Sequence, residues 1–306
     1  VTDKDRKLMD EILKIKDKKS VYIIAHYYQR PEIQDIADFV GDSYAMAVQA
    51  QKAASDIILV AGVDFMAESA AILCPDKTVL SPEPEATCPM ANSISVNDVL
   101  GFKEKYPESI IVSYVNTPAD IKAVTDICCT SSNAHIILEK LPENSRIYFI
   151  PDQNLAFNIS SRLGRKVDYF ESFCPIHATL NKADIVKLKE EYPDAELLVH
   201  PECHPEVVEL ADYVGSTGGM INYTSSSPKD SFIIATECGI IHPIHKAAPG
   251  KKLIMASEEM ICPNMKSITL NKILYSLENM QTIIRVPEEI RLPAAQALEK
   301  MIAYSS

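Results

Sequence analysis

The chain is short of positive charge. Its 306 residues carry 30 Lys and Arg against 42 Asp and Glu, a formal net charge of −12. Nucleic acid needs clustered Lys and Arg to neutralise its phosphates, so this balance argues against such a partner. Long apolar runs are also missing: none approaches the roughly 18 residues of a membrane span, so no membrane is expected as a partner. Residues 1–19 are charged and amphipathic and lack the apolar core of a secretory signal, so a cytoplasmic protein is expected. No Gly-Lys-Ser/Thr ending of a Walker loop occurs, and no tight Cys-x-x-Cys pair of the kind used by zinc ribbons and ferredoxins. No Gly/Ser-rich linker divides the sequence.

Eight cysteines are present. In a cytoplasmic setting thiols stay reduced and serve metals or catalysis rather than disulfides. Three form a near-regular series: Cys88, Cys174 and Cys262 lie 86 and 88 residues apart, and each precedes a proline. Cys74-Pro75 shares the dipeptide but not the register, ends an expected helix over 64–73, and has Ser160 at the next step. Cys128, Cys129, Cys203 and Cys238 are expected to pack in the interior, as free cysteines often do.

The same period appears independently of the cysteines. Lys103-Glu104-Lys105-Tyr106-Pro107-Glu108 returns as Lys189-Glu190-Glu191-Tyr192-Pro193-Asp194, 86 residues on. Each copy precedes an apolar strand, Ile110–Tyr114 or Leu197–His200. Subtracting 86 once more from Tyr114 gives Tyr28, so Tyr28, Tyr114 and His200 are expected at equivalent strand ends. Segments beginning Ala37-Asp38, Thr125-Asp126 and Ala211-Asp212 align, as do fourth strands beginning at Lys77, Lys166 and Lys251. Short apolar strands alternating with helical segments imply βα units and parallel sheets with right-handed connections. The expected fold is α/β: three similar small units with parallel sheets packed about a pseudo-threefold axis. The expected boundaries are 1–90 with an N-terminal helix, 91–176, 177–264, and C-terminal helices over 265–306 packing back on the body.

Ligands in open α/β sheets collect at the carboxyl ends of the strands. Were those ends to face one axis, the three lattice sulfurs would converge. Either a [4Fe–4S] cluster with one open iron or a catalytic Zn²⁺ would suit them. The plainer alternative is three duplicated units with inert, buried cysteines. Six polar groups stand at matched strand ends: His26 and Tyr28, Tyr114 and Asn116, His200 and Glu202. They supply the acids and bases that multistep proton transfer requires. Ser43, Ser131, Ser216 and Thr217 are expected where helices begin, where they can cap the helix, bind an anion, or do both.

At this point the motifs resemble the quinolinate synthase family. The resemblance covers essentially the whole chain. It is carried by Ala25-His26-Tyr27-Tyr28-Gln29, Gly41-Asp42-Ser43, Thr87-Cys88-Pro89-Met90-Ala91 and Ser113-Tyr114-Val115-Asn116. It continues through Cys129-Thr130-Ser131-Ser132-Asn133-Ala134, Val199-His200-Pro201-Glu202-Cys203, Val214-Gly215-Ser216-Thr217, Ala235-Thr236-Glu237 and Cys262-Pro263-Asn264-Met265-Lys266. The resemblance implies a [4Fe–4S] cluster on Cys88, Cys174 and Cys262. It also implies condensation of iminoaspartate with dihydroxyacetone phosphate to quinolinate in NAD biosynthesis. It assigns Tyr28 and Glu202 to acid–base work and His26, Ser43, Tyr114, Asn116, Ser131, His200, Ser216 and Thr217 to substrate binding. It further implies a link to an L-aspartate oxidase or aspartate dehydrogenase that supplies iminoaspartate. The rival readings are a zinc-dependent hydrolase on the same thiolates and a non-catalytic module binding small anionic metabolites. Cys262 has no close cysteine after it, so the thiol switch of some family members is not expected. Ala156 replaces the usual glycine in Asp152-Gln153-Asn154-Leu155-Ala156.

Overall fold

Short β-strands rich in Ile, Val and Leu, each followed by a helical segment, build three separate four-stranded sheets in the computed structural model, which describes residues 2–305. The first sheet contains β1 (Val21–His26), β2 (Phe39–Gly41), β3 (Ile57–Ala61) and β4 (Thr78–Leu80). The second contains β5 (Ile110–Tyr114), β6 (Ile127–Cys129), β7 (Ile147–Ile150) and β8 (Asp168–Tyr169). The third contains β9 (Glu196–Val199), β10 (Tyr213–Val214), β11 (Ser231–Ala235) and β12 (Lys252–Met255). Every pairing within the sheets is parallel, and the order repeats as 2-1-3-4, 6-5-7-8 and 10-9-11-12. The central strands are covered on both faces. Their runs, such as Ile23-Ile24-Ala25 and Ile233-Ile234-Ala235, are therefore continuously apolar and buried.

Side-chain clamps repeat with the sheets. Asp38, Asp126 and Asp212 each accept the amide of a central-strand residue, Ile23, Ile111 and Leu197, at 2.8 Å. Lys16, Lys103 and Lys189 pair with these aspartates at 2.7, 2.8 and 3.1 Å. Lys77, Arg165 and Lys251 each reach the backbone carbonyl 24 residues earlier, on Ala53, Leu141 and Ser227. The aspartates, like Lys77, Arg165 and Lys251, step by 88 residues and then 86, the reverse of the cysteine spacing. The segment leading to Cys174 is thus two residues shorter than those leading to Cys88 and Cys262.

This register corrects two expected equivalences. His26, not Tyr28, is the counterpart of Tyr114 and His200, and Tyr28 matches Asn116 and Glu202. The Nδ1 atoms of His26 and His200 make the same local bond, accepting the amide two residues on at 3.1 and 3.3 Å. Arg165, rather than Lys166, is the counterpart of Lys77 and Lys251. A single subtraction of 86 erred because the first interval in the sheets is 88.

The chain ends meet on one side. The helix Leu270–Asn279 packs on the N-terminal helix Asp3–Lys19, and Glu288–Tyr304 lies across Ala119–Ala123, β6 and the helix Asp64–Leu73. The first sheet, one face of the second and these terminal helices share one apolar core; the other face of the second sheet has its own, and the third sheet has one on each face. Among the described residues no helix is long and apolar enough to cross a membrane.

Candidate active site

The carboxyl ends of the three central strands surround a cavity of about 270 Å³. At ~30 Å³ per water it has room for a small metabolite. Cys88, Cys174 and Cys262 line it, with His26, Tyr28, Ser43, Tyr114, Asn116, Ser131, His200, Glu202 and Thr217. Ser216 is the one expected site residue outside it. Its hydroxyl caps the helix Thr217–Ser226 by accepting the Gly219 amide at 3.2 Å, and it faces a neighbouring groove. Ser43 and Thr217 are first residues of their helices, while Ser131 sits in a turn three residues before the helix Ala134–Lys140 rather than at its start.

The proline after each lattice cysteine has a local cause. Each Cys-Pro opens a short helical turn, at Ala91–Ser93, His177–Thr179 and Pro263–Ser267. Proline suits the first position of such a turn because its absent N–H would be unpaired there. The Cys88, Cys174 and Cys262 carbonyls accept the amides of Asn92, Ala178 and Lys266, all at 3.0 Å. Each sulfur in turn accepts the amide three residues on, from Ala91, His177 and Met265. Cys74 instead ends a helix, its own amide bonded to the Ala70 carbonyl at 2.9 Å.

Burial pushes the Cys88 thiol up to about 12, with further contributions from Glu202 and Cys262, and raises Cys174 and Cys262 as well. These thiols are neutral at neutral pH until a cation displaces the protons. Three soft sulfurs, one from each unit, each supplied with an amide donor, make a donor set that fits a metal centre. Cys174 also lies beside His177 and Glu202, their ligating atoms all within 4.8 Å of one another. Of the other cysteines, Cys74, Cys128, Cys129 and Cys203 are buried, whereas Cys238 is only half-buried, beside Glu237.

A continuous hydrogen-bonded chain crosses the cavity wall. Thr217 Oγ1 donates to the Tyr28 hydroxyl at 3.0 Å, and that hydroxyl lies 2.7 Å from Thr236 Oγ1. Thr236 Oγ1 meets His177 Nε2 at 2.9 Å, and His177 Nδ1 meets Glu202 Oε2 at 2.9 Å. The other Glu202 oxygen accepts the Tyr114 hydroxyl. Burial and the nearby Glu202 charge push the Tyr28 hydroxyl well above its ordinary value, so it holds its proton. Burial would also raise Glu202, but His177 and the Tyr114 bond outweigh it and keep the group ionised. Burial pushes His26 and His200 down to about 3, leaving neutral imidazoles. His200 Nε2 lies 3.2 Å from Ser131 Oγ. Asn116 lines the cavity with its side-chain oxygen buried and unpartnered, as expected of a group awaiting a donor.

Thr236 and His177 complete this chain, although sequence reasoning assigned neither a role. A signal existed for each: His177 lies three residues after a lattice cysteine, and Thr236 follows β11 directly. Glu237 and Lys266 were missed too. Glu237 Oε1 accepts the Cys262 amide at 3.1 Å and pairs with Lys266 Nζ at 2.9 Å, while that ammonium donates to the Tyr28 carbonyl at 2.5 Å. The segment bearing Cys262 is thereby tied to the backbone of Tyr28. Glu237 Oε2 also accepts the Gly239 amide at 2.7 Å, where the third unit presses on the first. A Cβ at Gly239 would lie 2.7 Å from both the Tyr27 carbonyl oxygen and Tyr28 Cα. Gly239→Ala is therefore expected to displace Tyr28, lowering turnover and destabilising the fold by about 1–3 kcal/mol. Thermal unfolding and steady-state assays of the variant check both.

Fold and site together define an α/β enzyme with a cysteine-lined candidate metal site at the junction of three parallel-sheet units. The family model described as quinolinate synthetase A protein matches residues 10–303, and the chain belongs to that family. It is 49% identical over 296 residues to the quinolinate synthase of Methanosarcina barkeri, covering 97% of each chain. It is 50% identical to quinolinate synthase 1 of Methanosarcina acetivorans over 296 residues, again covering 97% of each. To the quinolinate synthase of Thermodesulfovibrio yellowstonii it is 46% identical over 299 residues, covering 97% of this chain and 98% of the relative.

Proposed function

We propose that this chain is a quinolinate synthase that condenses iminoaspartate with dihydroxyacetone phosphate, releasing one phosphate and two waters, in NAD biosynthesis. The observation that carries this reading is that three thiols and an acid–base chain share one small cavity. Cys88, Cys174 and Cys262 would hold a [4Fe–4S] cluster. When bound, the cluster supplies a Lewis-acidic iron with no protein ligand, open to substrate oxygen or nitrogen.

The chain's own residues do the rest. Tyr28, protonated and hydrogen-bonded to Thr236, delivers a proton to substrate and recovers it through Thr236 and His177. Glu202, ionised and buried, anchors His177 at the far end of that path with its charge and orients Tyr114. His26, His200, Asn116, Ser43, Ser131 and Thr217 present neutral donors and acceptors to carboxylate, carbonyl and phosphate oxygens. Ser216 acts from behind, by capping the helix that presents Thr217. Such a site can bind anions without a Lys/Arg cluster, in keeping with the acidic composition.

Anaerobic purification tests the reading. About four irons and four sulfides per chain, with quinolinate formed only when both substrates are present, are expected. A colourless protein with one zinc and no quinolinate would overturn it in favour of the hydrolase.

A further inference from the structure

Outside the cavity lies an open groove of about 850 Å³ to which all three units contribute. Asp42 and Ser131 line both spaces, so the groove adjoins the cavity at those residues. The groove holds an exposed guanidinium, Arg162, on the helix Gln153–Leu163. Among the described residues the Arg162 guanidinium makes no hydrogen bond or ion pair. Beside it stand half-buried His135, from the helix Ala134–Lys140, and half-buried Tyr213, from β10. After burial, the Arg162 charge is the main influence lowering His135, and it also opposes the rise that burial causes in Tyr213.

Tyr213 marks a break in the threefold pattern. Its register partner is Leu198, and the matching positions in the other sheets, paired with Ile24 and Val112, are Phe39 and Ile127. Only the third unit carries a hydroxyl there. That hydroxyl lies 2.5 Å from where a Cβ of Gly215 would stand and 2.7 Å from a Cβ of Gly219, so both positions must lack a side chain to admit it. The one carboxylate at the inner end, Asp42, is occupied as a helix cap, accepting the Ala45 amide at 3.0 Å and bonding Ser216.

We propose that Arg162, His135 and Tyr213 form an outer subsite for a small oxyanion, a phosphate monoester or a dicarboxylate, on its way to the central cavity. The inference rests on the functional reading above for the identity of the anion, but not for its binding. A planar guanidinium matches an oxyanion edge with two parallel N–H donors, and the imidazole and phenol add a donor from each side. In a strongly negative molecule, a lone unpaired cation beside the site offsets the repulsion that an incoming anion meets.

The test uses metal-loaded protein under anaerobic conditions. Inorganic phosphate is titrated in at constant pH while the His135 ring resonances, assigned by their loss in His135→Gln, are followed by NMR. A saturable shift is expected in the parent protein, weakened in Arg162→Lys and absent in Arg162→Gln. In steady-state assays Arg162→Gln should raise the KM of an anionic substrate about tenfold, near the value of one charge-assisted hydrogen bond, with the deficit overcome at saturating substrate. A rise confined to dihydroxyacetone phosphate identifies the monoester, and one confined to iminoaspartate the dicarboxylate. No phosphate-dependent shift in the parent, or an equal shift in Arg162→Gln, overturns the subsite. An Arg162-dependent shift in a protein that forms no quinolinate leaves the subsite standing and removes the functional reading.

Discussion

Iron per chain is expected to fall from about four to background when Cys88, Cys174 or Cys262 is changed to Ser, one at a time. Cys74→Ser should keep the full complement. All four residues precede a proline, so the dipeptide is common to them and the local structure is not. The three lattice sulfurs point into one cavity and each receives an amide bond from the turn that its own Cys-Pro opens. Cys74 closes a helix and is buried away from the cavity. Serine is nearly isosteric, yet its oxygen is harder and holds its proton far more tightly than a thiol, so two sulfurs would be left to hold what three held. Iron and acid-labile sulfide analysis of the four variants, purified anaerobically, decides the matter. Full iron in any one of the first three would remove that cysteine from the metal centre.

Tyr28→Phe should leave metal content intact and lower kcat by about 10²–10⁴, the usual worth of a positioned general acid–base group. The ring itself is held by its neighbours, through a 4.6 Å edge contact with His26 and the Lys266 bond to its carbonyl. Removing the hydroxyl therefore breaks the chain without moving the backbone. Thr236→Val breaks the same chain one link further on and should lower kcat by a smaller factor. Because the two act in series, the double variant should be no slower than Tyr28→Phe alone. Losses that multiply would show that Thr236 serves the reaction by a route that bypasses Tyr28. Steady-state rates for the three variants, each normalised to iron content, provide the comparison.

The repeat was readable in the sequence because its strands are short, apolar and closely spaced, and because a parallel sheet buried on both faces leaves little freedom in what such strands can be. The three metal-site candidates were readable for the same reason: cysteine followed by proline is rare enough for a period to stand out. Register was harder. The Tyr-Pro segments, the aspartate clamps and the cysteines each repeat, but with intervals of 86 or 88 according to where two residues were lost before Cys174. The backbone bonds made by Asp38, Asp126 and Asp212, with those of Lys77, Arg165 and Lys251, show which interval governs the strand ends. Thr236 and His177 were invisible as a pair because their meeting is wholly tertiary. Thr236 is 208 positions from Tyr28 and 59 from His177. Neither residue type signals proton transfer without its neighbours.

One cysteine comes from each unit, and no unit holds two of the three. Were the three to hold the proposed cluster, metal retention would report on how the units are assembled as well as on whether each is folded. A nick, a hinge motion or a partial unfolding that parted any two units would open the ligand set while leaving the sheets themselves intact. Loss of iron would then precede loss of secondary structure, and the metal would serve as the molecule's own gauge of whether its three parts are docked.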